Sequence, residues 1–192
     1  MQEKIDWLRQ YYLKNKLPLQ TFNLIGIRDE SNMSKDVIND RLGFFTDREL
    51  FLAEGTTDPG VYWTVSDERN PAGTFHLLSG FHEKIWTFGK HKGYSALVND
   101  YRHCKPTRGW RDANYNYIYD KGDRLVCDYY GINFHRMHQT ILQKLIGKYS
   151  GGCQVVRNIK DFEYIYTKAL TSGVVVFNYM MFKAEEVKGV LI

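Results

Sequence analysis

Short apolar runs separated by turn-forming residues follow one another along most of the chain, and this pattern predicts a sheet-rich fold. Residues 21–29 read as a first strand, and residues 41–60 read as two more strands around a turn, ended by the breaker Asp58-Pro59-Gly60. Further runs of β-branched and aromatic character predict strands at residues 60–67, 73–80, 82–89, 123–135, 153–156 and 174–182. The order lacks the β-α-β alternation of parallel α/β folds.

Helical periodicity is confined to a few stretches. Residues 3–15 place apolar residues at helical spacing and the pattern stops before Pro18, which predicts a leading helix. Residues 159–173 predict a second amphipathic helix that ends at Gly173. Residues 99–122 are polar and aromatic with little period, so they predict a long loop or an insertion. The pattern as a whole favours one mainly β or α+β domain with helices near its two ends.

Composition excludes some classes of protein. Hydrophobic residues make up 43%, aromatic residues 15% and charged residues 25% of the 192 residues, which is typical of a globular domain and argues against disorder. The net charge of +4 comes from Lys and Arg scattered along the chain, so it is weak evidence for a polyanionic partner. No nucleic-acid-binding motif accompanies these residues, and we expect no nucleic-acid partner.

The sequence offers neither a membrane span nor a secretion signal. No apolar run approaches the length needed to cross a bilayer, and residues 1–16 are charged where a signal peptide would be apolar. We therefore expect no membrane insertion. We also expect a chain that is made in the cytoplasm and carried by another apparatus if it acts elsewhere.

Metal and cofactor sites have little support in the sequence. No CxxC spacing joins the three cysteines, and His138, three residues after His135, has no third ligand at a recognisable spacing. Residues 112–120 resemble a calcium loop in their alternating oxygen side chains. Tyr117 stands where an EF-hand loop needs glycine, which favours a solvated turn. We expect no metal and no cofactor.

The candidate chemistry lies in residues 132–156, where His135 ends an alternating apolar run and Cys153 follows Gly151 and Gly152. About two turns of helix-compatible sequence separate His135 from these glycines. A cysteine attacks a carbonyl carbon as its thiolate, so it needs a base such as His and donors for the developing oxyanion. Glycines let main-chain N–H groups approach a substrate closely. Three alternatives stay open: a catalytic nucleophile, a metal ligand, or a buried thiol beside a turn.

The same stretch resembles the His…Ser-x-Gly-Cys signature of the L,D-transpeptidase (YkuD-type) catalytic domain, with His135 followed by Ser150 in SGGC. Phage-encoded and prophage-encoded relatives carry close variants, and NFHR at 133–136 and GKYSGGCQV at 147–155 match them outside the catalytic pair. The upstream segments similar to this phage-type branch are NLIGIRDE, EGTTDPG, NPAGTFHLLSG and GKHKGYSALVND. The resemblance spans roughly residues 23–165.

The resemblance implies a fold, a substrate and a site of action. The fold would be a mainly β sandwich with a few peripheral helices, in which residues 1–18 form the leading helix and lead-in and residues 19–192 the catalytic domain. The substrate would be a peptidoglycan stem peptide, attacked at the L-to-D bond beside the diamino acid. The site of action would be the periplasm or cell wall, reached through a phage or a secretion apparatus.

The resemblance also assigns roles by position. Cys153 would be the nucleophile and His135 the base, oriented by a main-chain carbonyl near Arg136. The N–H groups of Gly152 and Cys153 would form the oxyanion hole, and Ser150 would hold the loop or bind substrate. The other residues expected to contact substrate are Gly151, Arg136, Asn133, Tyr149, Gln154 and, with an exposed loop position as its alternative, His91. Cys104 and Cys127 have no histidine at a useful spacing and read as structural.

This chain departs from the common cellular form of the signature. Arg136 replaces the glycine after the base, and Val155 stands where that form has an arginine that contacts a substrate carboxylate. Arg136 and Arg157 are the candidates to replace that contact. Capture of the acyl-enzyme by an amine or by water, the oligomeric state and the stem-peptide chemistry stay open. The alternative from another class is a non-catalytic wall-binding or virion structural module of the same fold.

Overall fold

A computed structural model describes the backbone of residues 1–192 and the side chains of residues 1–31 and 35–192. The fold is mainly β with a few helices, as the hydrophobic pattern predicts. The strands are β1 (Asn23–Arg28), β2 (Asp40–Phe45), β3 (Leu50–Thr56), β4 (Thr74–Leu77), β5 (Gly80–His91), β6 (Tyr94–Val98), β7 (Thr107–Asp112), β8 (Arg124–Asp128), β9 (Phe134–Arg136), β10 (Gln154–Val156) and β11 (Val176–Lys183).

The two longer helices were predicted by their apolar periodicity, and both are confirmed. The helical segments are α1 (Gln2–Lys14), α2 (Tyr62–Val65), α3 (Ile159–Thr171) and α4 (Ala184–Val187), with 3-10 turns at Glu30–Lys35 and Gly147–Tyr149. The residues buried on the apolar faces are Ile5, Leu8 and Tyr12 in α1 and Phe162, Ile165 and Ala169 in α3. The Asn158 side chain caps α3 by accepting a hydrogen bond from the Lys160 N–H (2.9 Å).

The main sheet closes on itself as a barrel in the order β1-β11-β5-β6-β9-β10-β3-β2. Within it β1 pairs parallel with β11 and β9 pairs parallel with β10, and the other neighbours are antiparallel. A separate antiparallel sheet has the order β4-β7-β8. In place of the two facing sheets of a sandwich, the strands thus form a barrel beside a small second sheet. The barrel closes because β1 pairs with β11, which the periodicity of single strands cannot reveal.

Two other segments differ from the sequence-based expectation. Residues 60–67 were predicted to be a strand and instead contain α2, because local main-chain bonds such as Trp63 N–H to Gly60 O (3.0 Å) close a turn there. Residues 99–122 were predicted to be a loop or insertion and contain β7. This strand is stabilised by hydrogen-bonded partners on both sides, β4 and β8, which the local pattern of the segment does not reveal.

The helix-compatible stretch between His135 and Ser150 contains no α-helix in the described backbone. Three of its apolar side chains, Ile141, Leu142 and Leu145, are more than half exposed. Because most of the stability of a protein helix comes from packing of an apolar face, this stretch lacks the contacts that would hold it helical.

Two large apolar clusters hold most of the elements together, and a small third one joins Met137, Cys153 and Val155. The larger of the first two is shared by the barrel strands, β4 and α3, and the smaller of them lies where α1 and α4 cover β1 and β11. Successive residues of a strand face opposite sides, so Leu24 joins the larger cluster and Ile25 the smaller. In β9 the same alternation puts Phe134 into the larger cluster and turns His135 to the other side of the strand.

Candidate active site

His135 and Cys153 lie on neighbouring parallel segments of the barrel. His135 in β9 is directly opposite Val155 in β10. Cys153 immediately precedes β10, and the Gln154 N–H continues the ladder by donating to the Asn133 carbonyl (2.9 Å). Paired residues share a face of the sheet, and so do residues two apart along a strand. Cys153 and His135 are therefore diagonal neighbours on one face.

A main-chain carbonyl fixes the tautomer of His135. Its Nδ1 lies 2.8 Å from the Arg136 carbonyl oxygen, and because a carbonyl can only accept, Nδ1 carries the hydrogen. The other nitrogen, Nε2, is then unprotonated, and it is buried without a hydrogen-bond partner among the described residues. The Arg136 carbonyl is the group that the resemblance indicated for this role. Burial lowers the pKa of the His135 imidazole to about 3, which keeps the ring neutral at neutral pH.

Two side chains from the β5–β6 hairpin pack against His135. The Tyr94 hydroxyl lies 3.1 Å from His135 Nδ1 and donates to the Arg136 carbonyl at 3.4 Å. The His91 ring stacks on the imidazole with centroids 4.1 Å apart and planes 9° apart, and its Nδ1 lies 3.1 Å from Asn133 Nδ2. Of the two sequence-based interpretations of His91, a position in the site and an exposed loop position, the structure has the first. Tyr94 was missed, because its role depends on a contact between residues 41 apart along the chain.

The Cys153 thiol is enclosed by main-chain groups. It is 8% exposed, and its Sγ donates to the Gly131 carbonyl (3.7 Å) and accepts from the Asn133 N–H (3.4 Å). Burial raises the pKa of the thiol to about 11, although the Asn133 N–H acts in the opposite direction. Sγ is not hydrogen-bonded to His135 Nε2, which has no partner within the described part of the chain. The resting site therefore holds a neutral thiol and a neutral imidazole.

The Ser150 side chain stabilises the glycine loop through hydrogen bonds to its main chain. Its buried hydroxyl donates to the Cys153 carbonyl (2.8 Å) and accepts from the Gly152 N–H (3.2 Å). The Gly152 N–H, expected as an oxyanion donor, is therefore already engaged. The Cys153 N–H has no acceptor among the described residues and is the donor of this pair that remains available. Gly152 has a φ of +113°, and a Cβ there would lie 2.6 Å from the Phe75 carbonyl oxygen, so this position requires glycine.

The Gln154 side chain lies in the interior beneath the loop and does not reach its surface. The side chain is fully buried, and its amide nitrogen donates to the carbonyls of Thr57 (3.1 Å) and Gly152 (3.3 Å). Its amide oxygen accepts from the Tyr179 hydroxyl (2.8 Å). The substrate contact expected of Gln154 does not fit a side chain with three internal partners and no exposure. Its contacts instead make it a positioning residue for the loop.

The loop is anchored on a buried ion pair that no sequence motif indicates. Arg28 Nε lies 3.0 Å from Asp58 Oδ1, and Arg28 also donates to the Thr57 carbonyl (2.9 Å). Although burial acts to raise it, the Arg28 guanidinium lowers the pKa of the Asp58 carboxyl. From the segment held in this way, the Gly60 N–H donates to the Ser150 carbonyl (2.8 Å). The ion pair thereby fixes the start of the loop that carries Cys153.

Two open pockets flank the candidate pair. The His135 pocket has a volume of about 340 Å³ and is lined by residues that include His135, His91, Tyr94, Arg136 and Tyr149. The Arg111 pocket has a volume of about 320 Å³ and is lined by residues that include Gly151, Ile132, Phe75, Trp63, Tyr130 and Arg111. Cys153 itself lines neither pocket, but it lies two residues after Gly151, which lines one of them, and diagonally across from His135, which lines the other.

Of the two arginines expected to replace the missing arginine, Arg136 lines one of these two pockets. The Arg136 guanidinium lies 4.2 Å from the centroid of the Tyr94 ring, in the His135 pocket. Arg157 lies outside both pockets, where it pairs with Glu54 (2.7 Å) and donates to the Gln143 carbonyl (2.7 Å). Arg136 is therefore better placed than Arg157 to contact a substrate.

The loop at residues 112–120 uses its oxygen atoms internally. The Asp112 carboxylate accepts from the N–H groups of Asn116 (3.0 Å) and Tyr117 (2.8 Å), and Asp120 accepts from the Asn116 side chain (2.7 Å). These bonds are typical of a polar turn. Among the residues with described side chains, no group of three or more His, Cys, Asp or Glu is arranged to hold a metal. No helix in the described backbone is long and apolar enough to cross a membrane.

Comparisons with protein-family models, with curated proteins and with solved structures find no match for this chain. The likeness to the L,D-transpeptidase signature is therefore carried by the chain's own residues, chiefly His135, Ser150 and Cys153.

Proposed function

We propose that this chain is a cysteine-dependent acyl-transfer enzyme of the L,D-transpeptidase type, which acts on peptidoglycan stem peptides through an acyl-enzyme on Cys153. The observation that carries the proposal is the tautomer of His135, whose Nε2 is left unprotonated on the sheet face that bears Cys153. Nε2 has no hydrogen-bond partner among the described residues, so it is free to accept the thiol proton as a general base.

Acylation would proceed from these positions. The Cys153 sulfur leaves the Gly131 carbonyl, gives its proton to His135 Nε2 and attacks the carbonyl carbon beside the diamino acid, so that a C–S bond forms. The Cys153 N–H donates to the oxyanion of the tetrahedral adduct. The C–N bond then breaks, and Nε2 returns the proton to the leaving amine. Because the thiol pKa is raised and the imidazole pKa is lowered by burial, proton transfer accompanies the attack and no stable ion pair precedes it.

Deacylation regenerates the thiol. An amine or a water molecule gives a proton to His135 Nε2 as its nitrogen or oxygen attacks the thioester carbonyl. The C–S bond breaks, and the proton passes from Nε2 to the sulfur. Capture by an amine yields a cross-link and capture by water yields a shortened stem, so the masses of the products distinguish transpeptidase from carboxypeptidase or endopeptidase action. The proposed place of action is the cell wall, reached through a phage or a secretion apparatus.

The first test removes the nucleophile. Cys153→Ala should abolish product formation from purified muropeptides, because it removes the sulfur on which the proposed acyl-enzyme forms. The same variant should fail to gain the mass of an acylating carbapenem, measured by intact-protein mass spectrometry. The matched control is Cys127→Ser, which removes an exposed thiol outside the site and should retain activity and labelling. Circular dichroism checks that both variants keep the fold.

Full activity of Cys153→Ala would end the proposal. The alternative, a non-catalytic wall-binding or virion structural module, is favoured by the low exposure of Cys153 and by the missing bond between Sγ and Nε2. That alternative predicts binding of the wild-type protein to purified sacculi with no product and no acyl adduct.

A further inference from the structure

Arg111 is a half-buried cation without a carboxylate partner. It lies on β7 directly opposite Phe75 in β4, and its Nη1 donates to the Gly73 carbonyl (3.0 Å). Arg28, the arginine buried beneath the glycine loop, is neutralised by Asp58 at 3.0 Å. No carboxylate of the described side chains lies within ion-pair distance of Arg111. A guanidinium remains charged at any pH at which the protein is folded, so this charge awaits a counterion.

Two aromatic rings hold the Arg111 guanidinium in place. Its central carbon lies 4.8 Å from the centroid of the Tyr130 ring and 5.5 Å from that of the Phe75 ring. Packing on ring faces fixes the guanidinium plane and lowers the entropy lost on binding a ligand. Since one of its five N–H groups bonds to Gly73, the others are available in a fixed orientation.

The pocket that holds Arg111 reaches the glycine loop. Gly151 forms part of its lining, and the Trp63 indole lies 3.8 Å from where a Cβ of Gly151 would be. Trp63 also supplies a second unengaged donor, because its Nε1 is buried without a partner among the described residues. The one acidic residue in the lining, Glu68, already has partners. It pairs with Lys148 (3.3 Å) and accepts a hydrogen bond from the Tyr62 hydroxyl (2.6 Å).

We propose that the Arg111 pocket binds a carboxylate of the acyl donor and so orients the attacked carbonyl at Cys153. A carboxylate matches the fork of N–H groups on a guanidinium, and it would neutralise the one unpaired cation in the pocket lining. The identity of the donor rests on the proposed function, but the anion site rests on the pocket alone. A stem peptide carries carboxylates on its isoglutamate, on its diamino acid and at its terminus, and the test distinguishes them.

The kinetic test compares stem tetrapeptides that have one carboxylate at a time converted to its amide. Arg111→Gln should lower kcat/KM for the free-carboxylate peptide about 10- to 100-fold, as expected for loss of a charged hydrogen bond. Amidation of the carboxylate that Arg111 binds should lower kcat/KM of the wild type by a similar factor. The same amidation should lower kcat/KM of Arg111→Gln little further. The carboxylate whose amidation shows this non-additivity is the one that Arg111 binds.

Three further variants separate recognition from general effects. Arg111→Lys keeps the positive charge but not the paired N–H groups of the guanidinium, so its kcat/KM should fall less than that of Arg111→Gln. Arg108→Gln removes an exposed charge from the opposite face of β7 and should leave kcat/KM unchanged. Arg136→Gln removes one cation of the His135 pocket, and its effect on kcat/KM should be non-additive with amidation of a different carboxylate or of none. Thermal unfolding of each variant shows whether the fold is kept.

A binding measurement keeps this inference distinct from the proposed chemistry. Cys153→Ala, which cannot be acylated, should bind the free-carboxylate tetrapeptide in calorimetry, and Cys153→Ala/Arg111→Gln should bind it at least tenfold more weakly. If the wild type proves inactive but this difference is found, the anion site stands and the acyl-transfer proposal fails. The affinity or kcat/KM for the free-carboxylate peptide can be divided by that for each amidated peptide. If this ratio is the same in Arg111→Gln as in the wild type for every carboxylate, the proposal of a carboxylate site at Arg111 is wrong.

Discussion

The tautomer of His135 depends on the Arg136 carbonyl and on the Tyr94 hydroxyl that donates to it. The Arg136 carbonyl accepts the Nδ1 hydrogen, and the Tyr94 hydroxyl, 3.1 Å from Nδ1, donates to that same carbonyl. Burial raises the pKa of the Tyr94 phenol to about 12, so the hydroxyl keeps its hydrogen at neutral pH. Tyr94 is therefore a positioning residue for the carbonyl that sets the tautomer.

Removal of this one hydroxyl should slow the reaction without weakening binding. Tyr94→Phe should lower kcat about fivefold and leave KM unchanged, because one neutral hydrogen bond contributes about 1 kcal/mol. Steady-state kinetics on muropeptides measure both constants. Tyr101→Phe, at a residue that is 73% exposed, is the matched control and should behave as the wild type. An unchanged kcat in Tyr94→Phe would contradict the role given to the hydroxyl.

The candidate residues differ in how far the sequence could reveal them. His135 and Cys153 could be predicted because the residues that distinguish them, such as Gly152, are adjacent to them in the chain. Tyr94 and Arg111 could not, since what matters for them is contact with residues that are distant in sequence. Gln154 was misread for a related reason: its place beside Cys153 suggested substrate contact, whereas the strand turns its side chain into the interior.

Among the elements, the loop that leads into β10 has little room for a side chain at Gly152. Gly152→Ala combines a backbone conformation that disfavours a side chain with a Cβ 2.6 Å from the Phe75 carbonyl oxygen. We expect a loss of about 3 kcal/mol in the free energy of unfolding, near the upper end for a strained residue. Labelling of Cys153 by a carbapenem should also be lost, because the loop must shift to relieve the clash.

Gly147 provides the matched control for this substitution. It also has a positive φ, of +53°, but a Cβ there meets no atom within 4 Å. Gly147→Ala should therefore cost only about 1 kcal/mol, the penalty of the left-handed conformation itself. Urea denaturation of the two variants measures the difference. Equal losses at the two positions would show that the close approach of Gly152 to Phe75 carries no energetic weight.

The elements that the sequence predicted correctly have a strong local pattern. The strands β1, β2, β3 and β11 and the helices α1 and α3 each show the period of their own structure. The segment 107–112 does not, and it forms β7 only because strands on both sides supply hydrogen bonds. At residues 60–67 the aromatic residues favoured a strand, but the turn after Pro59 places them in α2.

In the molecule as a whole, two buried histidines link stability to pH. Burial lowers the pKa of His135 to about 3 and that of His82 to about 4, against about 6.5 in an unfolded chain. Between these values the unfolded state protonates histidines that the folded state keeps neutral, so the contribution of these two histidines to stability falls as the pH is lowered through this window. At pH 5 each histidine should reduce the free energy of unfolding by about 2 kcal/mol.

A single substitution isolates one of these contributions. When the pH is changed from 7 to 5, the free energy of unfolding of His135→Gln should fall by about 2 kcal/mol less than that of the wild type. The reason is that the substitution removes one of the two buried histidines. Urea denaturation at the two pH values measures this difference, and any constant effect of the substitution cancels. Identical pH dependence in the two proteins would show that His135 is not held neutral by the fold.

The parallel pairing of β1 with β11 also sets an order in which the domain can be completed. During synthesis β1 can pair with β2 early, but its other edge stays open until residues 176–183 have left the ribosome. An open strand edge offers its main-chain donors and acceptors to any other chain. The nascent protein therefore exposes a template for aggregation until its last strand arrives, and protection of that edge is gained in one late step.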